Sequence, residues 1–364
     1  MSMLSFKIRI TLDEDDSYFK IIKDLAYLKL LADSTDENQS LKEERLNREL
    51  KIVQKYGFAK NFYLAYLIAD YAKKQGLFYI LLGNTMCSFL AYLLGISSIH
   101  PLDPFSIEER PLKTIKENQT IPLEVCFHYE ENRVPIFHFL GSKSFYQAML
   151  ECETIFKEKY LLDQEKTISN CIIVTMNPAL TKYQAICQKK KMHPFSHLKR
   201  SKLERQEWIK ECLKEEKYLK LIHQSCAIPL PVVLSYLKDN KRIITYKDFI
   251  YALGALFQVN KNNVMELRNL SFHQMFTYRE EVSFSLPSYI DEKVRFHCLE
   301  EAWRGHGLTT ELENQLFNQK IKKKDLTIFK NKLQHVCYLP SLGFLLEVAT
   351  FVLNYIQLNH LSNY

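Results

Sequence analysis

Hydrophobic positions recur at helical spacing through most of this chain. In the segment Glu43 to Gly57 (EERLNRELKIVQKYG), Leu46, Leu50 and Val53 fall three and four residues apart, and Gly57 follows as a stop. Phe58 to Gly76 repeats the arrangement, with Lys73 and Lys74 before a closing glycine. Helix is the reading for the region from about Ser17 to Tyr92. From Leu94 to Ser142 prolines and β-formers interleave, and short strands are predicted at 120–121, at 123–127 (LEVCF) and at 134–139 (VPIFHF). Helices dominate again from Tyr146, broken by a predicted strand at 171–175 (CIIVT). The expected fold class is α+β.

Two stretches are apolar enough to be weighed as membrane spans. Leu77 to Ile96 has bilayer length but is interrupted by Asn84, Thr85 and Ser88; Gly343 to Leu358 is shorter and carries Glu347, Asn354 and Gln357. With 47% hydrophobic and 25% charged residues overall, both read as buried core segments, and no membrane partner is expected. The N-terminal run MSMLSFKIRITLDEDD turns acidic early and has no signal-peptide core, and the nine cysteines form no C-x-x-C pair. A reducing, cytoplasmic location is the expectation.

Glycine is scarce, 9 of 364 residues, and neither a Walker-type loop nor G-x-G-x-x-G occurs, so the two common glycine-rich phosphate cradles are missing. The net charge is +7, and Cys187 to Lys220 alone holds eleven Lys/Arg against five Glu. Its densest points are Lys189, Lys190, Lys191, Lys199 and Arg200. A solvated helix face accounts for such a run; as a phosphate-contact patch it would bind DNA. Arg304-Gly305-His306-Gly307 reads as a helix C-cap, or as a turn presenting Arg304 to a phosphate. Cys187, His193 and His197 approximate a zinc half-site, but Pro194 breaks the spacing and a fourth ligand is missing, so no metal site is assigned. No D-x-D occurs in the strand-like runs, which hold only Glu124 as an acid, and no G-x-S-x-G elbow is present. No catalytic residue is assigned.

A series of motifs then falls in order. Glu44-Arg45-Leu46 with Glu49-Leu50, Tyr56-Gly57-Phe58, Ser88-Phe89-Leu90-Ala91-Tyr92, and Ile99-His100-Pro101-Leu102 resemble the palm of bacterial C-family DNA polymerases, the alpha subunits of DNA polymerase III. Ile121-Pro122-Leu123-Glu124 and Val134-Pro135 are closest to the PolC type. Downstream, Thr245-Tyr246-Lys247-Asp248, Tyr278-Arg279-Glu280-Glu281, Arg304-Gly305-His306-Gly307-Leu308-Thr309 and Leu339-Pro340 are similar to motifs of that family's fingers. The resemblance implies a polymerase-beta-like palm over 1–185, a basic helical connector over 186–225 and a helical fingers-like part over 226–364. It implies DNA and replisome subunits as partners.

The departures bear on activity. The two metal-binding aspartates of the family's V-P-D-I-D strand fall on Ile136 and His138. The arginine of its R-G-S phosphate loop is absent from Leu82-Gly83-Asn84, and its S-H-G turn reads Leu256-Phe257-Gln258. The Lys and His after F-P fall on Ser341 and Leu342, and a later arginine on Val352 or Leu353. The expectation is a degenerate relative without polymerase activity that binds DNA or a replisome component, with no cofactor. The alternative is an active polymerase whose Mg²⁺ is held by Glu124, Glu130 or Glu131 near His138. A membrane-associated protein using Leu77–Ile96 is the third reading.

Overall fold

A mixed sheet of four strands organises the first half of the chain. The computed structural model describes residues 4–11, 16–32, 38–105, 120–126, 136–160, 169–196, 201–259, 264–303 and 305–361, which divide into two units, Met1–His197 and Leu198–Tyr364. In the first unit the order of elements is β1 (Ser5–Thr11), α1 (Asp16–Ala32), α2 (Gln39–Lys55), α3 (Ala59–Gln75), β2 (Tyr79–Leu82), a 3-10 turn (Asn84–Cys87), α4 (Phe89–Leu93), α5 (Leu123–Cys126), β3 (Phe137–Gly141), α6 (Lys143–Tyr160), β4 (Ser169–Met176) and α7 (Pro178–Lys189). The strand order is β1-β4-β3-β2. The central pair β3/β4 is parallel and both outer pairs are antiparallel. A parallel pair needs a crossover between its strands, and α6 supplies it.

The periodic positions do what their spacing demands. Leu46, Leu50 and Val53 of α2 are buried, as are Ile22, Ala26 and Leu30 of α1 and Phe62, Ala65, Ile68 and Ala72 of α3. Phe62 meets Phe137 of β3 edge-on, ring centroids 5.1 Å apart. At the end of β3, Gly141 is obligatory: a Cβ there would lie 2.1 Å from the Phe145 ring.

Three expectations need correction. Residues 123–126 form a helical turn, not a strand. Pro122 starts it, and the i, i+3 pair Leu123 and Cys126 is buried, so packing overrides β-propensity. The region Ser17 to Tyr92 is not helical throughout, because Tyr79–Leu82 is β2. A short unbroken apolar run has no periodicity to separate a buried strand from a buried helix. Leu77–Ile96 is therefore β2, a 3-10 turn and the short α4, which removes the spanning helix the membrane reading needed.

The second unit is helical among its described residues: α8 (Lys202–Lys214), α9 (Glu216–Cys226), α10 (Leu230–Leu237), α11 (Tyr246–Ala255), α12 (Val264–Asn269), α13 (Arg279–Phe284), α14 (Glu292–Trp303), α15 (Thr310–Asn318), α16 (Lys323–Leu333) and α17 (Leu342–His360). Its core helix α17 packs on α8, α9 and α11. Among the described residues α17 is the one helix long and apolar enough to cross a bilayer, and 78% of that window is buried inside the protein. Residues 186–225 straddle the two units. From α8 and α9, Ile209, Cys212, Leu219 and Ile222 are buried, so this part of the segment is structural core as well as charged surface.

Candidate functional site

The site that the resemblance points to lies at the N-terminal end of β3. Gly83 there has φ of +100°, a conformation that suits glycine, and a Cβ on it would stand 3.0 Å from the Ile136 carbonyl oxygen. Thr85 Oγ1 donates to that same oxygen at 2.9 Å. The two segments that the resemblance sets against the family's phosphate loop and metal-binding strand are thus neighbours. Ile136 is 44% exposed. His138 is half-buried, paired in register with Leu82 on one side and Ile173 on the other. Its Nε2 shares a 2.9 Å hydrogen bond with Thr175 Oγ1. Burial pushes its pKa down to about 4, which keeps the ring neutral at pH 7.

Divalent ions of the kind the resemblance implies do not fit these residues. Mg²⁺ takes hard oxygen ligands, carboxylates first. Isoleucine offers none, and a neutral imidazole and a hydroxyl carry no charge to neutralise the ion. The four strands, read as SFKIRIT, YILL, FHFLG and SNCIIVTM, contain no Asp or Glu. Among the described residues no group of three or more His, Cys, Asp or Glu side chains could hold a metal ion. Glu130, Glu131 and His197 lie outside the described residues, as does the side chain of Glu124.

What the shared motifs build instead is a buried polar joint. Glu49 is fully buried. Its carboxylate accepts from Arg45 Nε at 2.7 Å, Ser88 Oγ at 2.7 Å, and the backbone N–H groups of Phe89 and Leu90 at 2.9 Å each. A negative charge at the start of α4 is where the helix dipole favours it. Arg45 donates onward to the Ile121 carbonyl at 2.7 Å and to Cys126 Sγ at 3.4 Å, and Cys126 Sγ donates to the Cys87 carbonyl at 2.9 Å. The motifs around Arg45, Ser88 and Ile121 are therefore knitted into one network. A buried charge needs such full satisfaction, since unpaired it would cost several kcal/mol.

In the second unit the motifs also serve as joints. Thr245 and Asp248 make a reciprocal capping box at the start of α11. Glu280 accepts from Leu342 N at 2.9 Å, and the Pro340 carbonyl accepts from Arg279 N at 3.0 Å. Ser341, Leu342, Val352 and Leu353, the positions that the sequence resemblance sets against the family's cations, are buried. Gln258 is fully buried; its Oε1 accepts from Cys337 N at 2.6 Å and its Nε2 donates to the Tyr338 carbonyl.

Of the predicted phosphate contacts, Lys189 ends α7, Lys190 caps it and Lys191 follows in a left-handed conformation, φ +53°. Lys189 and Lys191 are exposed. Lys199, Arg200 and Arg304 lie outside the described residues. The turn after α14 is a C-cap as expected: Gly305 N donates to the Ala302 carbonyl and His306 N to Glu301, with φ of +71° at Gly305. Sequence reasoning missed Thr175 as the partner of His138, because a lone hydroxyl in a β-rich run carries no local signal.

No curated protein matches the chain. Residues 20–161, from α1 into the region of α6, match the family described as the bacterial DNA polymerase III alpha NTPase domain. That span contains the Arg45–Glu49 joint, the Gly83 turn and the Ile136–His138 segment, and over those residues the chain is similar to that family.

Proposed function

We propose that this protein is a polymerase III alpha-type framework that binds DNA without transferring nucleotides. The observation that carries the reading is the acid-free sheet: Ile136 and His138 stand where two carboxylates would anchor metal ions. Phosphoryl transfer rests almost wholly on positioning and on neutralising charge, and each lost donor or cation in such a site costs about 3 kcal/mol. The buried Ser341, Leu342, Val352 and Leu353 support the same reading, because apolar burial stabilises a closed core at the expense of a charged cleft. DNA contact is assigned to Lys189, Lys190 and Lys191, with Lys199, Arg200 and Arg304 as further candidates, through phosphate neutralisation. Replisome subunits are the other partners that the family implies.

Primer extension on a primed template with Mg²⁺ or Mn²⁺ tests the reading. No incorporation above a protein-free control is expected. Template-directed incorporation that survives mock-purification controls would overturn it and favour the alternative in which Glu124, Glu130 or Glu131 hold the metal.

A further inference from the structure

We infer that the cleft beside α11 in the second unit binds a nucleotide, with its base stacked on Phe272 and its phosphate held by Arg242 and Lys247. The inference carries the nucleic-acid reading above to a separate set of residues. The cleft has a volume of about 700 Å³ and is lined by Arg242, Lys247, Tyr251, Asn269, Phe272 and Gln274, among others. That is room enough for a mononucleotide-sized ligand.

Three near-parallel rings define its aromatic wall. Phe272 stacks on Tyr251 at 5.8 Å and 20°, and Tyr251 on Tyr278 at 5.8 Å and 14°. Tyr278 is buried and anchors the row, while Phe272 is half-buried and ends it in the cleft. A nucleobase has the flat π-face that would extend such a row. The cations stand beside it. Lys247 Nζ lies 5.8 Å from the Tyr251 ring centroid. Arg242 Nη1 donates to the Leu270 carbonyl at 2.8 Å, which fixes the planar fork that suits phosphate oxygens.

Charge in the surrounding segment agrees. Residues 238–268 carry six Lys/Arg against Asp239, Asp248 and Glu266. The one carboxylate in the cleft wall, Asp248, is engaged in the α11 cap: its Oδ2 accepts from Thr245 N, Thr245 Oγ1 and Ile244 N. The amides of Asn269 and Gln274 supply polar groups for a base edge.

The test uses the full chain and four probes at low ionic strength: ATP, tripolyphosphate, a fluorescein-labelled oligothymidylate 12-mer and an abasic strand of the same length. ATP or the 12-mer should bind more tightly than its base-free counterpart. Phe272→Ala should weaken the base-bearing probe by roughly 5- to 100-fold, the range for one lost stacking contact, and leave tripolyphosphate unaffected. Lys247→Ala should weaken all bound probes. Binding of ATP alone identifies a free nucleotide as the ligand, and binding of the 12-mer alone identifies a strand. The inference is overturned if the base-free probes bind as well as the base-bearing ones, or if Phe272→Ala changes nothing. Should Phe272→Ala fail to fold, Phe272→Leu removes the π-face at similar volume and is read the same way. A Lys189→Ala/Lys190→Ala/Lys191→Ala variant separates the two readings: loss of 12-mer binding there, with Phe272→Ala unaffected, retires the cleft and keeps the basic patch.

Discussion

Glu49 of α2 caps α4 from 40 residues away, its carboxylate 2.9 Å from Phe89 N. Arg45, one turn earlier on α2, donates to the same oxygen, Oε1, at 2.7 Å, and Ser88 Oγ and Leu90 N donate to the other. Removing the acid takes a buried carboxylate from Arg45, from the Ser88 hydroxyl and from two backbone donors. Glu49→Ala should therefore destabilise the first unit by about 3–5 kcal/mol. Urea unfolding of wild type and variant, followed by tryptophan-independent circular dichroism, measures it; a loss below 1 kcal/mol would contradict the joint.

The His138 ring provides a pH test. Its pKa is about 4 in the fold against 6.5 ordinarily, so the unfolded chain binds the proton more readily. Stability from this group is complete above pH 6.5 and is lost as pH falls toward 4, by up to about 3 kcal/mol. His138→Gln should remove that fall. A variant that follows the wild-type slope over this window would show that the ring is not desolvated.

Glu281 titrates in the opposite sense. Its carboxylate accepts from Thr277 N at 2.6 Å and Thr277 Oγ1 at 2.8 Å, yet burial outweighs these bonds and raises its pKa from 4.5 to about 7. The folded state then holds a proton that the unfolded state has released. Its stability contribution is greatest below pH 4.5 and declines as pH rises to 7. Glu281→Gln should flatten that decline in denaturant midpoints taken from pH 4.5 to 7.5, and because the two groups lie in different units, single variants separate the opposing slopes.

Gly254 tests the packing of the second unit. A Cβ at this position on α11 would stand 2.2 Å from the Thr277 carbonyl oxygen, and backbone cannot swing aside as a flexible side chain does. Gly254→Ala should cost at least about 2 kcal/mol, read as a lowered Tm, while Gly307→Ala, with nothing near its Cβ position, should cost only the strain of its positive φ.

Salt dependence tests the basic cluster. If Lys189, Lys190 and Lys191 each neutralise one phosphate of a single strand, replacing all three by Ala should reduce the slope of log K against log[salt] by about 2. Anisotropy titrations between 50 and 200 mM KCl, taken as roughly the range where such slopes are resolved, give the answer; an unchanged slope retires the cluster as a DNA contact.

Much of the framework was legible because it rests on repeated local signals. The spacing of Leu46, Leu50 and Val53 foretold their burial, and CIIVT foretold the centre of β4. The strand β1 carried a signal too, one that went unread: Phe6, Ile8 and Ile10 alternate with Lys7 and Arg9. The helical turn at Leu123–Cys126 was not legible, since its conformation comes from packing against the 84–87 turn. The Thr85–Ile136 and His138–Thr175 bonds were not legible either, since both depend on which strands lie side by side. The cleft at Arg242 and Phe272 joins residues from two helices and a loop, and none of them forms a motif alone.

The strand order has a consequence for synthesis. β4 is the centre of the sheet for both ends of the first unit: Ser5 pairs with Thr175, and Phe137 with Ile172. A growing polypeptide emits β1 first and must extend by some 160 residues before its partner exists, a delay on the order of ten seconds or more at ordinary translation rates. Until then β2 and β3 form an isolated antiparallel ribbon whose β3 edge, later covered by β4, is open, which is the geometry that recruits stray strands. Ribosome-bound intermediates stalled before residue 169 should thus depend on holdase chaperones, and release from that dependence should come abruptly once the eight residues of β4 clear the exit tunnel.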